Sequence, residues 1–424
     1  MYALFLVALF LSFPAQAKLP NSVTEWYHVA HDRDPSAPAK PLVSYQELID
    51  LLDDFMRAQK TFFSKTPWLN NTHPKMDAAT LSQVSKTQPI VLKCETLHAN
   101  KIFFWGDLHG DIQALSSSLY KLHQDNIIGD DFKLKNSEHL CFFLGDLTDR
   151  GEHGPDTLAL LFTFALKNWG KVFLLRGNHE DTRITNNYGF SQQLSRLYEA
   201  AEKPTTLWEK LDNHVRIFLG KRSFNSLQQS FKKFTQFYNL LPAAVFVGCE
   251  GNFVQCCHGG LDWKYRPLEL LGSENALCLQ NIIEMADIDP FYLDFLWADF
   301  CAVGDTSKTT HDPNRGTMWG RKDCEQILTD SSSGENRLRG VIRAHQHNHT
   351  MPGLFDLNNT GVYSLWNNQV LTTIGTGIYT KAAAFMQLTV DEDFDKWNLI
   401  SHNLQKEGWH LRTSLLKNWK NISN

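Results

Sequence analysis

The sequence predicts an α/β protein whose strands are largely parallel and whose helices pack outside the sheet. From residue 100 onward short apolar runs recur, and each of the first three is followed by Gly-Asp or Gly-Asn. Between these runs, apolar residues recur at helical spacing, and a strand, helix, strand order favours parallel pairing. The 424 residues are 42% hydrophobic and 21% charged, a composition typical of a globular protein with a large core.

The N-terminus resembles a targeting segment. Residues 1–13 carry no charge and are almost wholly apolar, and they lead into Ala15-Gln16-Ala17, a small-x-small pattern. The run is shorter than the ~20 residues that span a membrane. We therefore expect a signal peptide over residues 1–17, a mature chain without a stable membrane anchor, and export to a periplasm or out of the cell. The alternative is an apolar N-terminal helix that is kept, and a cytoplasmic protein.

Residues 18–95 are predicted to form an N-terminal extension. Residues 18–43 are polar and contain four prolines, so we expect an extended lead-in there. Ser44 with Glu47 three residues later is typical of a capping box, and apolar residues keep helical spacing from there to Pro67. This pattern predicts one accessory helix that lies on the core.

The main domain is predicted over residues 96–392. Its first strands are expected at 101–105, 140–144 and 171–175, with helices at 112–122 and 158–166 between them. Residues 190–240 favour a mainly helical segment. Further strands are expected at 243–247, 253–257, 340–344, 370–374 and 384–390, and residues 393–424 are expected to form a C-terminal tail packed on the domain.

The charge and the cysteines exclude some classes of function. The formal net charge is −5, so no basic surface for nucleic acid is indicated and we expect no nucleic-acid partner. The eight cysteines include no CxxC pair, and most lie in apolar stretches, where buried free thiols are typical. The sequence leaves disulfide pairing and oligomeric state open.

Five segments place carboxylate, amide or imidazole side chains where predicted strands end. They are residues 106–111 (GDLHGD), 145–151 (GDLTDRG), 176–180 (RGNHE), 258–260 (HGG) and 343–346 (RAHQ). Side chains two positions apart on an extended chain share a face, so Asp107 and His109 are placed to bind one cation. Four more oxygen or nitrogen donors follow other strands: Asp146, Asn178, His258 and His345. A donor set without thiolate favours Mn, Fe or Zn over copper or an iron–sulfur cluster.

These segments, in this order, resemble the signature of the PPP family of metal-dependent phosphoprotein phosphatases, within the calcineurin-like metallophosphoesterases. The pattern GDxHG, GDxxDRG, GNHE, HGG and RAH is complete between residues 101 and about 390. The resemblance implies an α/β, two-sheet metallophosphoesterase sandwich flanked by helices. Residues 96–392 would be its catalytic domain, residues 190–240 a helical insertion, and two divalent metal ions would bind at the mouth of the sandwich.

The resemblance also implies roles for individual residues. Asp107, His109 and Asp146 match the ligands of one metal, and Asp146, Asn178, His258 and His345 match those of the other. In the family, a hydroxide that bridges the metals attacks phosphorus directly.

Further residues match the family's acid and its phosphate contacts. His179 matches the general acid, and Asp149 the carboxylate that orients it. The residues that match phosphate contacts are Arg150, Arg315, Asn178 and Tyr379. Arg176 and Arg343 precede their motifs and are interpreted as structural ion-pair residues.

The leading hypothesis is a phosphatase that hydrolyses phosphate monoesters on the side chains of a phosphorylated protein or peptide. A dinucleoside polyphosphate hydrolase and a broad, exported phosphomonoesterase are the enzymatic alternatives. A binding module on an inactive scaffold is the third, although all six ligand positions are present. Preference for phosphotyrosine or for phosphoserine and phosphothreonine depends on the depth of the cleft, which the sequence leaves open.

Overall fold

The computed structural model describes most of the chain. The described residues are 19–32, 40–69, 80, 85, 88–202, 226–282, 289, 293–301, 309–312, 316–346, 362–366, 370–372, 382–405 and 411–416. The predicted signal peptide at 1–17, Arg315 and Tyr379 lie outside them. Within the described part, no helix is both long and apolar enough to cross a membrane.

The strands of the described residues form three sheets. They are β1 Trp68–Leu69, β2 Ile90–Glu95, β3 Lys101–Trp105, β4 Leu140–Phe143, β5 Val172–Leu174, β6 Ala244–Cys249, β7 Asn252–Cys257, β8 Leu277–Asn281, β9 Asp299–Phe300, β10 Thr310–Asp312, β11 Gly316–Trp319, β12 Arg337–Arg343, β13 Tyr363–Leu365, β14 Val370–Thr372, β15 Ala382–Thr389, β16 Asn398–Gln405 and β17 Leu411–Leu416. Their order is β1-β8-β2-β6-β7-β12-β14-β13 in the first sheet, β17-β16-β15-β3-β4-β5 in the second, and β10-β11-β9 in a small third one.

Helices cover both large sheets. They are α1 Val23–His31, α2 Tyr45–Lys65, α3 Ile112–Gln124, α4 Gly154–Lys167, α5 Thr182–Tyr188, α6 Phe190–Glu202, α7 Leu227–Asn239, α8 Leu268–Leu271, α9 Asp294–Trp297 and α10 Arg321–Asp330, and Phe394–Lys396 adds a 3₁₀ turn. Helices α6 and α7 lie in the predicted insertion at 190–240, whose residues 203–225 are outside the described part, and α5 lies just before it.

The predicted parallel core is confirmed. Strands β3, β4 and β5 pair in parallel, and α3 and α4 are the crossovers between them. Strand β7 also pairs in parallel with β12, and β12 with β14. Since the carboxyl ends of parallel strands meet at one edge of a sheet, the loops after β3, β4 and β5 are neighbours.

The two large sheets pack face to face. On β6, Val245 and Val247 belong to one core with Phe104 and Phe142, which are paired on the same face of the second sheet, opposite the face that carries Trp105 and α3. The alternate residue Phe246 points to the opposite face, into a second core that α8, α9 and α10 cover. This alternation buries both faces of the first sheet and confirms the predicted two-sheet sandwich.

The structure corrects both predicted limits of the main domain. Strand β2, placed in the N-terminal extension by the sequence analysis, lies within the first sheet, parallel to β6 and antiparallel to β8. At the other end, the segment expected to be a tail supplies β16 and β17, which extend the second sheet beyond β15. Strand β2 was misassigned because its partners lie about 150 or more residues later in the chain, which local patterns do not show. Strands β16 and β17 continue the sheet by antiparallel pairing with the preceding strand, and their own patterns did not distinguish them from a tail.

The N-terminal extension contains one more helix than expected. The accessory helix α2 is confirmed, with the capping box of Ser44 and Glu47 formed. Residues 23–31, expected to be extended, form α1, whose N-cap is Ser22. The prolines of this region stand before and after that stretch rather than inside it, so they bound the helix without interrupting it.

Candidate metal and catalytic site

The six predicted ligand residues meet at strand ends of the two facing sheets. Asp107 and His109 follow β3, Asp146 follows β4, and Asn178 follows β5, all in the second sheet. His258 follows β7 and His345 follows β12, in the first sheet. All are buried except His345, which is partly exposed. The sandwich therefore brings together donors that are far apart in sequence.

Asp146 lies between two groups of candidate ligands. Its Oδ2 is 3.5 Å from Nε2 of His109 and 3.9 Å from Nε2 of His179. Its Oδ1 is 3.3 Å from Nε2 of His258. The first group is His109, Asp146 and His179, and the second is Asp146, His258 and His345. Within each group, the ligand atoms all lie within 4.8 Å of one another. One carboxylate thus faces two positions at which a metal could bind.

Asp107 and Asn178 complete the cluster. Oδ1 of Asp107 is 3.5 Å from Nδ1 of His258 and accepts a hydrogen bond from the backbone N–H of His345 at 3.3 Å. Oδ1 of Asn178 is 2.9 Å from Nε2 of His258 and 3.1 Å from Nδ1 of His345. Ring nitrogens, carboxylates and an amide oxygen are the donor atoms that Mn, Fe and Zn accept in proteins.

Backbone carbonyls orient two of the imidazoles. Nδ1 of His258 lies 3.0 Å from the Leu144 carbonyl, and Nδ1 of His109 lies 3.0 Å from the Thr148 carbonyl. With the proton on Nδ1, each ring donates to its carbonyl and presents a lone pair on Nε2 toward Asp146. The centre of the cluster therefore collects acceptor atoms.

The two orientations of the Asn178 side-chain amide show which kind of group the centre of the cluster requires. Turned over, its nitrogen donates to Nε2 of His258 at 2.9 Å and to Oδ1 of Asp146 at 3.3 Å. A donor group or a cation is thus needed among the acceptors, and with the oxygen turned inward Asn178 itself becomes a ligand. The residues present fit divalent cations.

Electrostatics keep the central carboxylate ionised. Burial alone would raise the pKa of Asp146, but the imidazoles of His258, His179 and His109 hold this pKa well below its usual value. Burial would likewise lower the pKa of His258, and the carboxylates of Asp146 and Asp107 raise it. The cluster therefore carries negative charge on Asp146, as a cation site requires.

His179 and Asp149 form a buried pair beside the cluster. Nδ1 of His179 is 2.8 Å from Oδ2 of Asp149, and the backbone N–H of His179 donates to Oδ1 of Asp146 at 2.9 Å. The other oxygen of Asp149 accepts the backbone N–H of Phe190 at 3.0 Å. The carboxylate holds the ring so that Nε2 faces the candidate metal positions.

The backbone of the site is strained. Five of its non-glycine residues have positive φ: His109 (45°), Asp146 (51°), Asp149 (68°), Arg150 (64°) and His345 (71°). Each such residue costs about 1–3 kcal/mol, and surrounding contacts must offset this cost. Because half of the ten positive-φ non-glycine residues in the described part are these site residues, strain is concentrated here.

Glu180 supports the site by contacts for which the sequence predicted no role. Its Oε2 accepts the backbone N–H groups of Asp146 and Gly177, both at 2.8 Å, and its Oε1 accepts that of Leu147 at 3.0 Å. Burial and the Asp146 charge raise the pKa of Glu180 to about 7. A Cβ on Gly177 would lie 2.4 Å from Oδ1 of Asp146, so the two turns touch and only glycine fits. Glu180 is the last residue of the RGNHE motif, and this position was the available signal in the sequence.

Arg176 and Arg343 form ion pairs, as predicted, whereas Arg150 is partly exposed. The guanidinium of Arg150 lies over the Tyr188 ring, 5.7 Å from its centre, and that ring is 5.1 Å from the ring of His179. Arg176 pairs with Asp181 at 3.5 Å, and Arg343 with Asp299 at 3.3 Å. Arg150 therefore lies near the His179–Asp149 pair, whereas Arg176 and Arg343 are buried ion-pair residues.

The two cysteines next to His258 have no nucleophilic character. Cys256 and Cys257 are buried residues of β7, as expected from the sequence. Burial raises the pKa of the Cys257 thiol to about 12 and that of Cys256 well above its usual value. Both thiols stay protonated at neutral pH, so neither is a thiolate nucleophile.

Comparison with known proteins gives a family for this fold and site. The family described as calcineurin-like phosphoesterase matches residues 101–349. These residues include all six candidate ligands and the His179–Asp149 pair.

Two named relatives have low sequence identity to this chain. The serine/threonine-protein phosphatase rdgC of Drosophila melanogaster is 26% identical over 372 residues, which are 80% of this chain and 48% of that protein. The serine/threonine-protein phosphatase PP2A-like PPG1 of Candida albicans is 26% identical over 231 residues, 54% of this chain and 43% of that protein. The chain thus spans less than half the length of either relative.

Two solved structures are also similar. A protein serine/threonine phosphatase from Saccharomyces cerevisiae with similarity to human PP5 has a TM-score of 0.48 at 17% identity, covering 81% of this chain and 88% of its own. A cold-active protein-tyrosine phosphatase from a psychrophilic Shewanella has a TM-score of 0.43 at 16% identity, covering 79% and 84%.

Proposed function

Because the chain belongs to the calcineurin-like phosphoesterase family, we propose that it is a metal-dependent phosphatase that hydrolyses phosphate monoesters on protein side chains. One observation carries the proposal: Asp146 joins two groups of metal-binding side chains directly beside an imidazole that a buried carboxylate orients. The fit of the donor atoms supports metal binding, and the His179–Asp149 pair supports acid catalysis.

Two divalent ions would be held by the six residues named above. Asp107, His109 and Asp146 would bind one, and Asp146, Asn178, His258 and His345 the other. When bound, the ions would neutralise phosphate charge and make water a stronger nucleophile at neutral pH. Mn, Fe and Zn all suit these oxygen and nitrogen donors.

The protein groups would then manage the proton and the phosphate charge. As water adds to phosphorus and the P–O ester bond breaks, Nε2 of His179 would donate its proton to the departing oxygen. Asp149, bound to Nδ1, would stabilise the charged ring before that transfer. Arg150 would bind the phosphate oxygens, since a guanidinium donates two parallel hydrogen bonds. We assign the same task to Arg315, Asn178 and Tyr379 from the sequence motifs.

The substrate class is supported by the names of the relatives. Both curated relatives are protein serine/threonine phosphatases, and these matches favour a phosphoprotein over a small phosphoester. Export of the chain, proposed from its apolar first 17 residues, is testable by the mass of the protein recovered from a medium or periplasm.

The decisive experiment is a matched substrate panel with added Mn. It compares phosphoseryl, phosphothreonyl and phosphotyrosyl peptides with a dinucleoside polyphosphate, for the wild type, Asp146→Asn and His179→Ala. Asp53→Asn is the control, because the Asp53 carboxylate on α2 pairs with Lys233 on α7 at 2.8 Å.

Each outcome assigns a function. Peptide hydrolysis that both site variants lose, and the control keeps, supports the proposal. Hydrolysis of the nucleotide alone would reassign the enzyme to polyphosphates. Hydrolysis of every small phosphoester tested, with no preference for peptides, would indicate a broad phosphomonoesterase. Mn binding without any hydrolysis would indicate a binding module.

A further inference from the structure

The side chain of Gln193 bridges the loop that follows Asp149 and Arg150. Its Nε2 donates to the Gly151 carbonyl at 2.8 Å, and its Oε1 accepts the backbone N–H of Gly154 at 3.0 Å. One amide thus binds both ends of the turn that leads from Arg150 into α4. Gln193 lies in the first turn of α6 and belongs to none of the five motifs.

The loop requires such restraint because its backbone is strained. Asp149 and Arg150 are consecutive residues with φ of 68° and 64°. The same short stretch that holds Gln193 tethers both of them. The Arg150 N–H donates to the Tyr188 carbonyl at 2.7 Å, and Oδ1 of Asp149 accepts the Phe190 N–H at 3.0 Å.

Close packing limits the direction in which the loop can move. A Cβ on Gly151 would lie 2.1 Å from the His109 carbonyl, so the loop already touches the metal-site backbone on that side. A Cβ on Gly154 would lie 3.0 Å from Oε1 of Gln193. Loss of the Gln193 hydrogen bonds would therefore free the loop on the α6 side only.

We propose that Gln193 is a positioning residue for Asp149 and Arg150, and through Asp149 for His179. The inference rests on the proposed function above. Gln193 acts on the loop backbone, so that the carboxylate stays 2.8 Å from the His179 ring. Since proton donation and phosphate binding both depend on this loop, losing the restraint lowers kcat and raises KM, while Mn affinity is unchanged.

The test compares Gln193→Leu with Gln192→Leu. Gln192 is exposed on the same helix and donates to the Asn186 carbonyl at 3.1 Å. We expect Gln193→Leu to lose about tenfold or more in kcat on a phosphoseryl peptide, part of the ~10²–10⁴ that acid catalysis contributes. The loss on 4-nitrophenyl phosphate is expected to be smaller, because that leaving group needs little proton transfer. Gln192→Leu is expected to match the wild type on both substrates.

A second measurement is independent of activity. Amide hydrogen exchange of the peptide that contains residues 149–154 is expected to be faster in Gln193→Leu and unchanged in Gln192→Leu. Gln193→Glu retains the acceptor for Gly154 but cannot donate to Gly151, so it is expected to lie between Gln193→Leu and the wild type. If Gln193→Leu fails to fold, Gln193→Glu decides by the same measurements.

Three results would overturn the inference. They are unchanged kinetics in Gln193→Leu, unchanged exchange of the loop peptide, and an equal loss of kcat on both substrates together with a lower Tm. A wild type that hydrolyses no phosphoester would disprove the proposed function instead, and the exchange data would still decide whether Gln193 restrains the loop.

Discussion

The imidazole of His179 and the carboxylate of Asp149 are joined by a 2.8 Å contact between Nδ1 and Oδ2, and both side chains are almost fully buried. This pairing leaves Nε2 as the ring nitrogen available to a substrate. His179→Ala is therefore expected to lower kcat on phosphoseryl peptides by about 10²–10⁴-fold. Asp149→Asn is expected to lower it by a smaller factor. Both should affect aryl phosphates less, which steady-state kinetics on the two substrates would show. An equal loss on both would rule out proton donation.

Asp146→Asn is expected to abolish binding of Mn at concentrations that saturate the wild type. The asparagine can still accept the His179 N–H through its oxygen, so the fold is retained while the shared negative charge is lost. Calorimetric titration with Mn measures this effect, and Asp53→Asn is the control. Undiminished Mn binding would mean that the cations, if bound, lie elsewhere.

Glu180→Gln is expected to destabilise the protein, because the Glu180 carboxylate binds backbone N–H groups of two loops. Even in its better orientation, the amide nitrogen would face one of the three backbone N–H groups that the carboxylate now accepts, that of Leu147. Each buried N–H left without an acceptor costs about 1–3 kcal/mol of unfolding free energy. Urea unfolding measures the difference. Glu325→Gln is the control, because its pairing with Arg321 is at the surface and contributes little.

Leu48→Ala is expected to lower the free energy of unfolding by about 2–5 kcal/mol. Leu48 lies in α2 and is fully buried in the core that also contains the second sheet. Urea unfolding again gives the value, and Gln46→Ala on the same helix is a partly buried control. A change below 1 kcal/mol for Leu48→Ala would show that the N-terminal helices are not integral to the core.

His402 is expected to make stability depend on pH. Its ring stacks on Phe385 with centroids 4.6 Å apart, and burial lowers the pKa of His402 from 6.5 to about 4. Asp125 opposes this shift, whereas Lys121 and Lys101 add to it. Because the folded pKa is the lower one, the unfolded chain takes up a proton first as the pH falls below 6.5.

The unfolding free energy contributed by His402 should fall by about 2 kcal/mol between pH 7.5 and pH 5.0. His402→Phe keeps the stacking and removes the titration. Urea unfolding gives the free energy of unfolding of both proteins at the two pH values. The change with pH in the wild type, minus the change in His402→Phe, is the contribution of His402. Equal pH dependence in wild type and variant would contradict the prediction.

Much of the site was predictable from residue order alone. The first three motifs follow strands whose parallel pairing the alternation of strand and helix already indicated, and such strands end at one edge of a sheet. The prediction that Asp107, Asp146 and Asn178 are neighbours needed no further information. Their convergence with His258 and His345 was expected because these residues also follow predicted strands, and the family resemblance implied how the six are divided between two metals. The packing of the two sheets brings the convergence about.

Other features depended on contacts between distant parts of the chain. Strand β2 belongs to the first sheet because of partners about 150 to 190 residues away. Strands β16 and β17 join the second sheet through β15, and their own patterns do not distinguish a sheet strand from a tail. Helix α1 was missed because nearby prolines suggested an extended segment.

The amino-acid order was sufficient to predict the α/β core, the accessory helix and the set of candidate ligands. These features follow from local periodicity and from residue types that have few other uses at strand ends. The support of the site could be read only from the folded chain. Glu180 accepts N–H groups from two loops, and Gln193 restrains a third segment 39 residues before it. Such hydrogen bonds involve backbone atoms, which every residue possesses, so the identity of the partner residue leaves no signal in the sequence.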